Sequence, residues 1–334
     1  MEKVPFTYGK IAADEDFTDR QAELKRLISN FDGLINTILI SPRRWGKTSL
    51  VKQAGSICES KNNNLKVIFI DIFNIRDERE FYLSLSNCIL KTTSNGWEDF
   101  AANAKLFLSR FIPTVSFSPD KQTDLSFGIS WKVLEKQPDD ILDLAENIAQ
   151  KKNMQLVICI DEFQNIMHFS DPEAFQQKLR SHWQNHHNVA YCLYGSKRHM
   201  LLDVFSNSSQ PFYKFGDLML LDKIPEKDWI VFLCKRFEDT GKRLSTEDAR
   251  LIAQLADSHP YYVQQLAQQA WFRTKDTCSQ KIILSAYEDI INQLSLLFAN
   301  STEKLSSFQI HLLKAILAGE KQLTAKETLE KYQL

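Results

Sequence analysis

No apolar run in this chain approaches the ~20 residues that a helix needs to cross a bilayer, so a membrane partner is not expected. The N-terminus, Met1-Glu2-Lys3-Val4-Pro5, leads into Asp14-Glu15-Asp16 rather than into the apolar segment of a secretory leader, and a cytoplasmic location is the expectation. The six cysteines (Cys58, Cys88, Cys159, Cys192, Cys234 and Cys278) are scattered without a C-x-x-C pair, which argues against a zinc ribbon or a disulfide framework. A formal net charge of -1 supplies no global field for nucleic acid, which leaves only a local basic face open. Asn-Lys-x-Asp is missing, since Thr274-Lys275-Asp276 lacks the spacer residue, and this disfavours a GTPase. His182 and His186 stand four apart on an expected helix, but no third ligand and no His-Glu-x-x-His pattern accompanies them.

What the chain does have is 334 residues, 43% of them hydrophobic and 25% charged, which describes a globular protein of two or three domains. Its central stretch is Ile38-Leu39-Ile40 followed by Ser41-Pro42-Arg43-Arg44-Trp45-Gly46-Lys47-Thr48-Ser49-Leu50. This reads as a strand, a phosphate-binding loop and a helix start, because backbone N–H groups and a helix N-terminus together favour anions. Lys47 would reach the β- and γ-phosphates of a nucleotide, and the Thr48 hydroxyl would ligate Mg²⁺. Ser41 stands where G-x-x-x-x-G-K-[ST] has its first Gly; that position asks for a compact residue, whereas Gly46 is where a Cβ would obstruct approach to phosphate.

A helix with a Thr18-Asp19-Arg20-Gln21 capping box precedes the stretch, then a strand over 35–40. Val67-Ile68-Phe69-Ile70-Asp71 is a second strand, apolar enough to be buried on both faces of a parallel sheet. A helical pattern covers 78–110, and alternation over 114–131 around a Pro-Asp turn suggests an inserted β-hairpin, a candidate partner-facing element. Another helix starts at Pro138-Asp139-Asp140.

Leu156-Val157-Ile158-Cys159-Ile160-Asp161-Glu162 is a buried strand ending in two acids, the pattern of a Walker B strand. At the carboxyl end of such a strand Asp161 would hold Mg²⁺ and Glu162 would polarise the attacking water. A helix over 173–185 and the strand 189–195 follow, the latter ending in Ser196-Lys197-Arg198-His199. In P-loop ATPases with this acidic pair, that strand lies between the acidic strand and the P-loop strand, so Ser196, Lys197 and Arg198 are γ-phosphate sensor candidates, of which one or two can face the phosphate. With Leu218-Met219-Leu220-Leu221 the expected fold is α/β: a three-layer, doubly wound parallel sheet of five core strands with its ligand at the strand carboxyl ends. From Pro225 onward the chain reads as helical, including 306–318 and 324–332, the last with a Thr324-Ala325-Lys326-Glu327 cap. A third helix needed for a helix-turn-helix is missing there.

The chain resembles the archaeal-type ATPases of the STAND branch of AAA+ P-loop NTPases. The resemblance rests on Phe17-Thr18-Asp19-Arg20, the double Arg before Gly46-Lys47-Thr48, Ile160-Asp161-Glu162-Phe163-Gln164, Gly195-Ser196-Lys197-Arg198-His199-Met200 and Ser258-His259-Pro260-Tyr261-Tyr262. It implies a core over 1–222, a helical lid over 223–300 and the start of a winged-helix-like segment over 301–334. It further implies that Phe17 to Arg20 sit by the adenine, and that His259 and Pro260 form the lid motif that senses the nucleotide. The implied function is an ATP- and Mg²⁺-binding, ATP-hydrolysing molecular switch in signalling or regulation. Arg43, Arg44 or Arg198 would add charge against the phosphates, from this subunit or a neighbour in a nucleotide-dependent self-association. A protein partner is left unidentified, and DNA would be met only through a complete winged helix. The alternative is a non-hydrolysing nucleotide-binding scaffold or DNA-associated regulator, against which Glu162 argues.

Overall fold

The computed structural model describes residues 4–11, 20–94 and 138–334. Strands β1 (Thr37–Ile40), β2 (Leu65–Asp71), β3 (Gln155–Asp161), β4 (Val189–Gly195) and β5 (Asp217–Leu220) form one sheet in the order β2-β3-β4-β1-β5, with every neighbouring pair parallel. Parallel pairing requires crossovers, and helices used as crossovers cover both faces of the sheet. That is why β1 and β4 are buried at every position and read as continuous apolar runs.

The pleat sorts these side chains into two cores. Ile38, Ile40, Ile158, Ile160, Tyr191 and Leu193 face α3 (Glu78–Thr92), α4 (Pro138–Leu142), α5 (Leu144–Lys152), α6 (Pro172–Trp183) and α7 (Arg198–Ser206). Trp183 stacks on Tyr191 there, with ring centroids 4.0 Å apart. Leu39, Val157, Cys159, Cys192 and Tyr194 face Leu24, Leu27 and Phe31 of α1 (Gln21–Asp32) and Leu50, Val51 and Ala54 of α2 (Lys47–Lys61). The result is the three-layer α/β fold expected from the sequence. The register sets Ile40 beside both Gly195 and Leu220, and Asp71 beside Asp161, so the carboxyl ends of the strands emerge along one edge.

Among the described residues the chain divides into two compact units. One holds the sheet, residues 7–228, together with the turn 258–261. The other holds 4–6, 229–257 and 262–334, carried by α8 (Glu226–Glu238), α9 (Thr246–Leu255), α10 (Pro260–Arg273), α11 (Gln280–Thr302), α12 (Ser307–Leu317) and α13 (Lys326–Tyr332). In it, buried Phe6 packs on Phe232 and Phe237, and Arg236 donates to the Pro5 carbonyl at 2.7 Å.

Several element ends differ from expectation. The first helix begins at Gln21 with Arg20 as its left-handed N-cap residue; Thr18 of the expected capping box lies outside the described residues, as do Phe17, the 114–131 hairpin and the helical pattern beyond residue 94. At α13 the N-cap is Ala325, one residue past Thr324, and no side chain caps it, whereas Ser306 and Gln309 form a full capping box at α12. The expectation about apolar runs is corrected by α11: its stretch Gln280–Asn300 has a mean hydropathy of 1.3, long and apolar enough by length and composition to cross a membrane. Lys281, Glu288 and Asp289 interrupt it as a linear run, while a helix gathers Ile283, Ala286 and Ile290 on one buried stripe.

Candidate functional site

The carboxyl ends of β1, β3 and β4, with the segments that follow them, carry the polar side chains of the site. After β1 the chain turns through residues 41–46, in which Arg44 has φ 66° and Gly46 φ 86°. An alanine Cβ at Gly46 would meet no protein atom within 4 Å, and the left-handed backbone conformation itself favours glycine there. Ser41, at 1% exposure, fits the strand exit; its hydroxyl donates to the Pro42 carbonyl and its N–H to the Gly195 carbonyl on β4. A compact residue therefore suffices where the pattern has its first Gly.

Lys47 opens α2 and reaches across to the end of β3. Its Nζ lies 3.0 Å from Glu162 Oε1 and 3.4 Å from Asp161 Oδ1. The next residue, Thr48, donates its hydroxyl to Asp161 Oδ2 at 2.7 Å. Asp161 Oδ1 also accepts the Glu162 N–H at 2.8 Å. Glu162 follows with φ 55°, a left-handed conformation that L residues adopt at a cost, and this turns its carboxylate back toward the P-loop. Its Oε2 accepts from Gln164 Nε2 and from Ser196 Oγ at 3.0 Å, with the Ser196 N–H at 3.4 Å.

Burial pushes the Asp161 carboxyl up from the ordinary range, partly offset by Lys47 and the Thr48 hydroxyl. For Glu162 burial pushes the same way but is outweighed by Gln164, Lys47 and Ser196, which hold it below the usual carboxylate range. Glu162 is thus kept ionised. A buried ion pair of this kind adds little net stability because desolvation consumes the Coulombic gain, while removing one partner costs about 3–5 kcal/mol.

Around the loop, buried Arg20 donates to the Trp45 carbonyl at 3.2 Å, the Asp222 carbonyl at 3.0 Å and Glu23 at 3.1 Å. The Arg44 guanidinium lies 4.6 Å over the Tyr261 ring, and Trp45 meets His259 edge-on at 6.3 Å. Tyr8 packs edge-on against Tyr261 at 5.4 Å.

Residues 17–266 match the family described as an ATPase domain predominantly from Archaea. The chain belongs to this family. A search of curated proteins gives no match. Among solved structures the ATPase domain resembles the Walker-type ATPase PABY2304 of Pyrococcus abyssi, with 17% identity, a TM-score of 0.61 and coverage of 98% of this chain and 91% of that one. It also resembles the Aeropyrum pernix ORC2 protein solved as ADPNP and ADP complexes, at 15% identity, TM-score 0.59 and coverage of 98% and 89%. A third likeness is the Aeropyrum pernix ORC1 protein in complex with DNA, at 13% identity, TM-score 0.53 and coverage of 96% and 78%. The chain is thus an ATPase domain with the P-loop NTPase fold, and nucleotide binding comes with the family.

In this ATPase domain the structure brings Lys47, Thr48, Asp161, Glu162 and Ser196 together. Pro42 and Arg43 lie on the loop, Arg43 exposed, and Ser49 is buried in the first turn of α2. Arg198 is exposed in the first turn of α7, with no hydrogen bond or ion pair to the cluster among the described residues, so of the three sensor candidates Ser196 is the one in contact with it. Arg20 holds the loop backbone through the Trp45 carbonyl, and His259 and Pro260 belong to the turn that packs beside Trp45. His182 and His186 share Asp143 Oδ1 at 2.8 and 3.1 Å, and His186 Nδ1 lies 2.9 Å from the Tyr191 hydroxyl, so a structural network absorbs them. No set of three His, Cys, Asp or Glu residues suited to a metal occurs among the described residues. Sequence reasoning gave no individual role to Gln164, Tyr8 or Tyr261, although Gln164 and Tyr261 stand in stretches that carry the family resemblance.

Proposed function

We propose that this ATPase domain is an ATP-hydrolysing molecular switch of the STAND type. The single observation that carries the reading is the convergence of Lys47, Thr48, Asp161, Glu162 and Ser196 at the carboxyl ends of three adjacent parallel strands. A cation, a hydroxyl, two carboxylates and a polar strand-tip residue are the set that phosphoryl transfer to water calls on. Lys47 binds the β- and γ-phosphates. Ser196, at the tip of β4, holds the Glu162 carboxylate with its hydroxyl, beside the place of the γ-phosphate. Glu162 orients the attacking water and takes its proton.

The Thr48 hydroxyl and the Asp161 carboxylate, 2.7 Å apart, form a hard oxygen donor pair that fits Mg²⁺. When bound there, the ion neutralises charge on the β- and γ-phosphates. The switch resides in what the P-loop touches. Arg44 and Trp45 hold the turn 258–261 through Tyr261 and His259. That turn leads directly into α10, so a loop drawn onto phosphate pulls on a segment outside the strand layer.

A scaffold that only held nucleotide would have no use for an ionised Glu162 beside Lys47. Phosphate release from wild type and Glu162→Gln at saturating Mg-ATP separates the two readings. We expect a loss of roughly 10²-fold or more in the variant, with nucleotide binding retained. Equal rates would leave the scaffold reading in its place.

A further inference from the structure

The two oxygens of Glu162 are used differently. Oε1 faces Lys47 Nζ at 3.0 Å, whereas Oε2 takes Gln164 Nε2, Ser196 Oγ and the Ser196 N–H. Gln164 is 1% exposed, and its Oε1 has no hydrogen-bond partner among the described residues. Leaving a buried acceptor unpaired costs stability, so this amide is poorly explained as a packing group. Gln164 Oε1 lies against Gly195, where an added Cβ would come within 1.9 Å of it. Gly195 is the last residue of β4 and precedes Ser196. A glycine therefore makes the space in which the amide passes between β4 and the Glu162 carboxylate.

We propose that Gln164 is a positioning residue for hydrolysis: with Ser196 it anchors Glu162 Oε2, so that Oε1 becomes the proton acceptor when Lys47 leaves it for the phosphates. The inference rests on the hydrolytic reading above and deepens it. While Lys47 pairs with Oε1 the base is occupied, which keeps Glu162 from activating water idly. Once Lys47 turns to phosphate, Oε1 is released while Oε2 stays fixed. The water's proton passes to Oε1, its oxygen forms the new bond to the γ-phosphorus, and the bond to the bridging oxygen breaks with its electron pair leaving on ADP. Loading of the nucleotide and arming of the base are then one event.

The test uses the whole chain. Gln164→Met keeps length and bulk but removes the donor. Single-turnover hydrolysis at saturating Mg-ATP is expected to fall about tenfold or more, with the calorimetric ATP Kd within about threefold of wild type. In a Glu162→Gln background the same substitution is expected to change the rate no further, because it acts through that carboxylate. Gly195→Ala provides a second route, since its Cβ displaces the amide without removing it, and the same rate loss with retained binding is expected. An unchanged rate in Gln164→Met, or an equal further loss in the Glu162→Gln background, overturns the proposal. If Glu162→Gln itself turns over as wild type does, the hydrolytic reading has failed instead, a separately recognisable result.

Discussion

The side chains of the site owe their placement to residues in costly backbone conformations. Arg20, Arg44 and Glu162 are non-glycine residues with φ between 55° and 68°, and each touches the P-loop or belongs to it. Strain of this kind persists where surrounding contacts over-determine it, and it collects at binding sites. Gly46 is the one loop position at which glycine carries the left-handed conformation, at φ 86°. Gly46→Ala is expected to cost about 1–2 kcal/mol in chemical denaturation, the penalty for an L residue in that region. An unchanged midpoint would mean that the loop does not hold this conformation. Lys47, Thr48, Asp161 and Glu162 were legible in the sequence because short motifs encode them: Gly-Lys-Thr after a β-branched run, two acids after another. Arg20 against the Trp45 carbonyl and Gln164 against Glu162 were not, since such pairings depend on how distant segments come together. Arg198, two residues after Ser196 in the chain, lies apart from the cluster, because α7 begins at that residue and the helix carries it to the surface.

At the level of elements, the strands were legible because burial on both faces leaves long apolar runs, and β4 was expected over the seven residues it occupies. Boundaries shifted where tertiary contacts decide them, as at Arg20 and Ala325. The apolar length of α11 was hidden because its charges interrupt the linear run while lying off the buried stripe of the helix. The edge strand β5 shows how a polar residue fastens an element. Asp217 accepts from Arg26 Nε at 2.8 Å and from Asn30 Nδ2 at 2.8 Å, tying β5 to α1. The hydrogen bonds from Arg26, followed by those from Asn30, outweigh burial and hold the Asp217 carboxyl below its usual range. A carboxyl depressed in the folded state contributes stability that is present above its unfolded pKa, near about 4, and lost as pH falls through the folded value. The stability difference between wild type and Asp217→Asn is therefore expected to be constant near neutrality and to shrink in denaturation curves taken below about pH 4. A difference independent of pH would show that the tie does not rest on the charge.

At the level of the molecule, the sheet brings Lys47, Thr48, Asp161, Glu162 and Ser196 to a shared strand edge, and the turn 258–261 belongs to the same compact unit as that edge. Arg44 and Trp45 contact that turn, which leads into a different part of the chain. The central claim is that Mg-ATP binds where Lys47 now pairs with Glu162. Calorimetric titration of Mg-ATP into wild type and Lys47→Ala tests it most directly. Binding with a Kd on the order of micromolar in wild type, abolished in the variant, is the expected result. Absence of binding to both proteins, or equal binding to both, would contradict it.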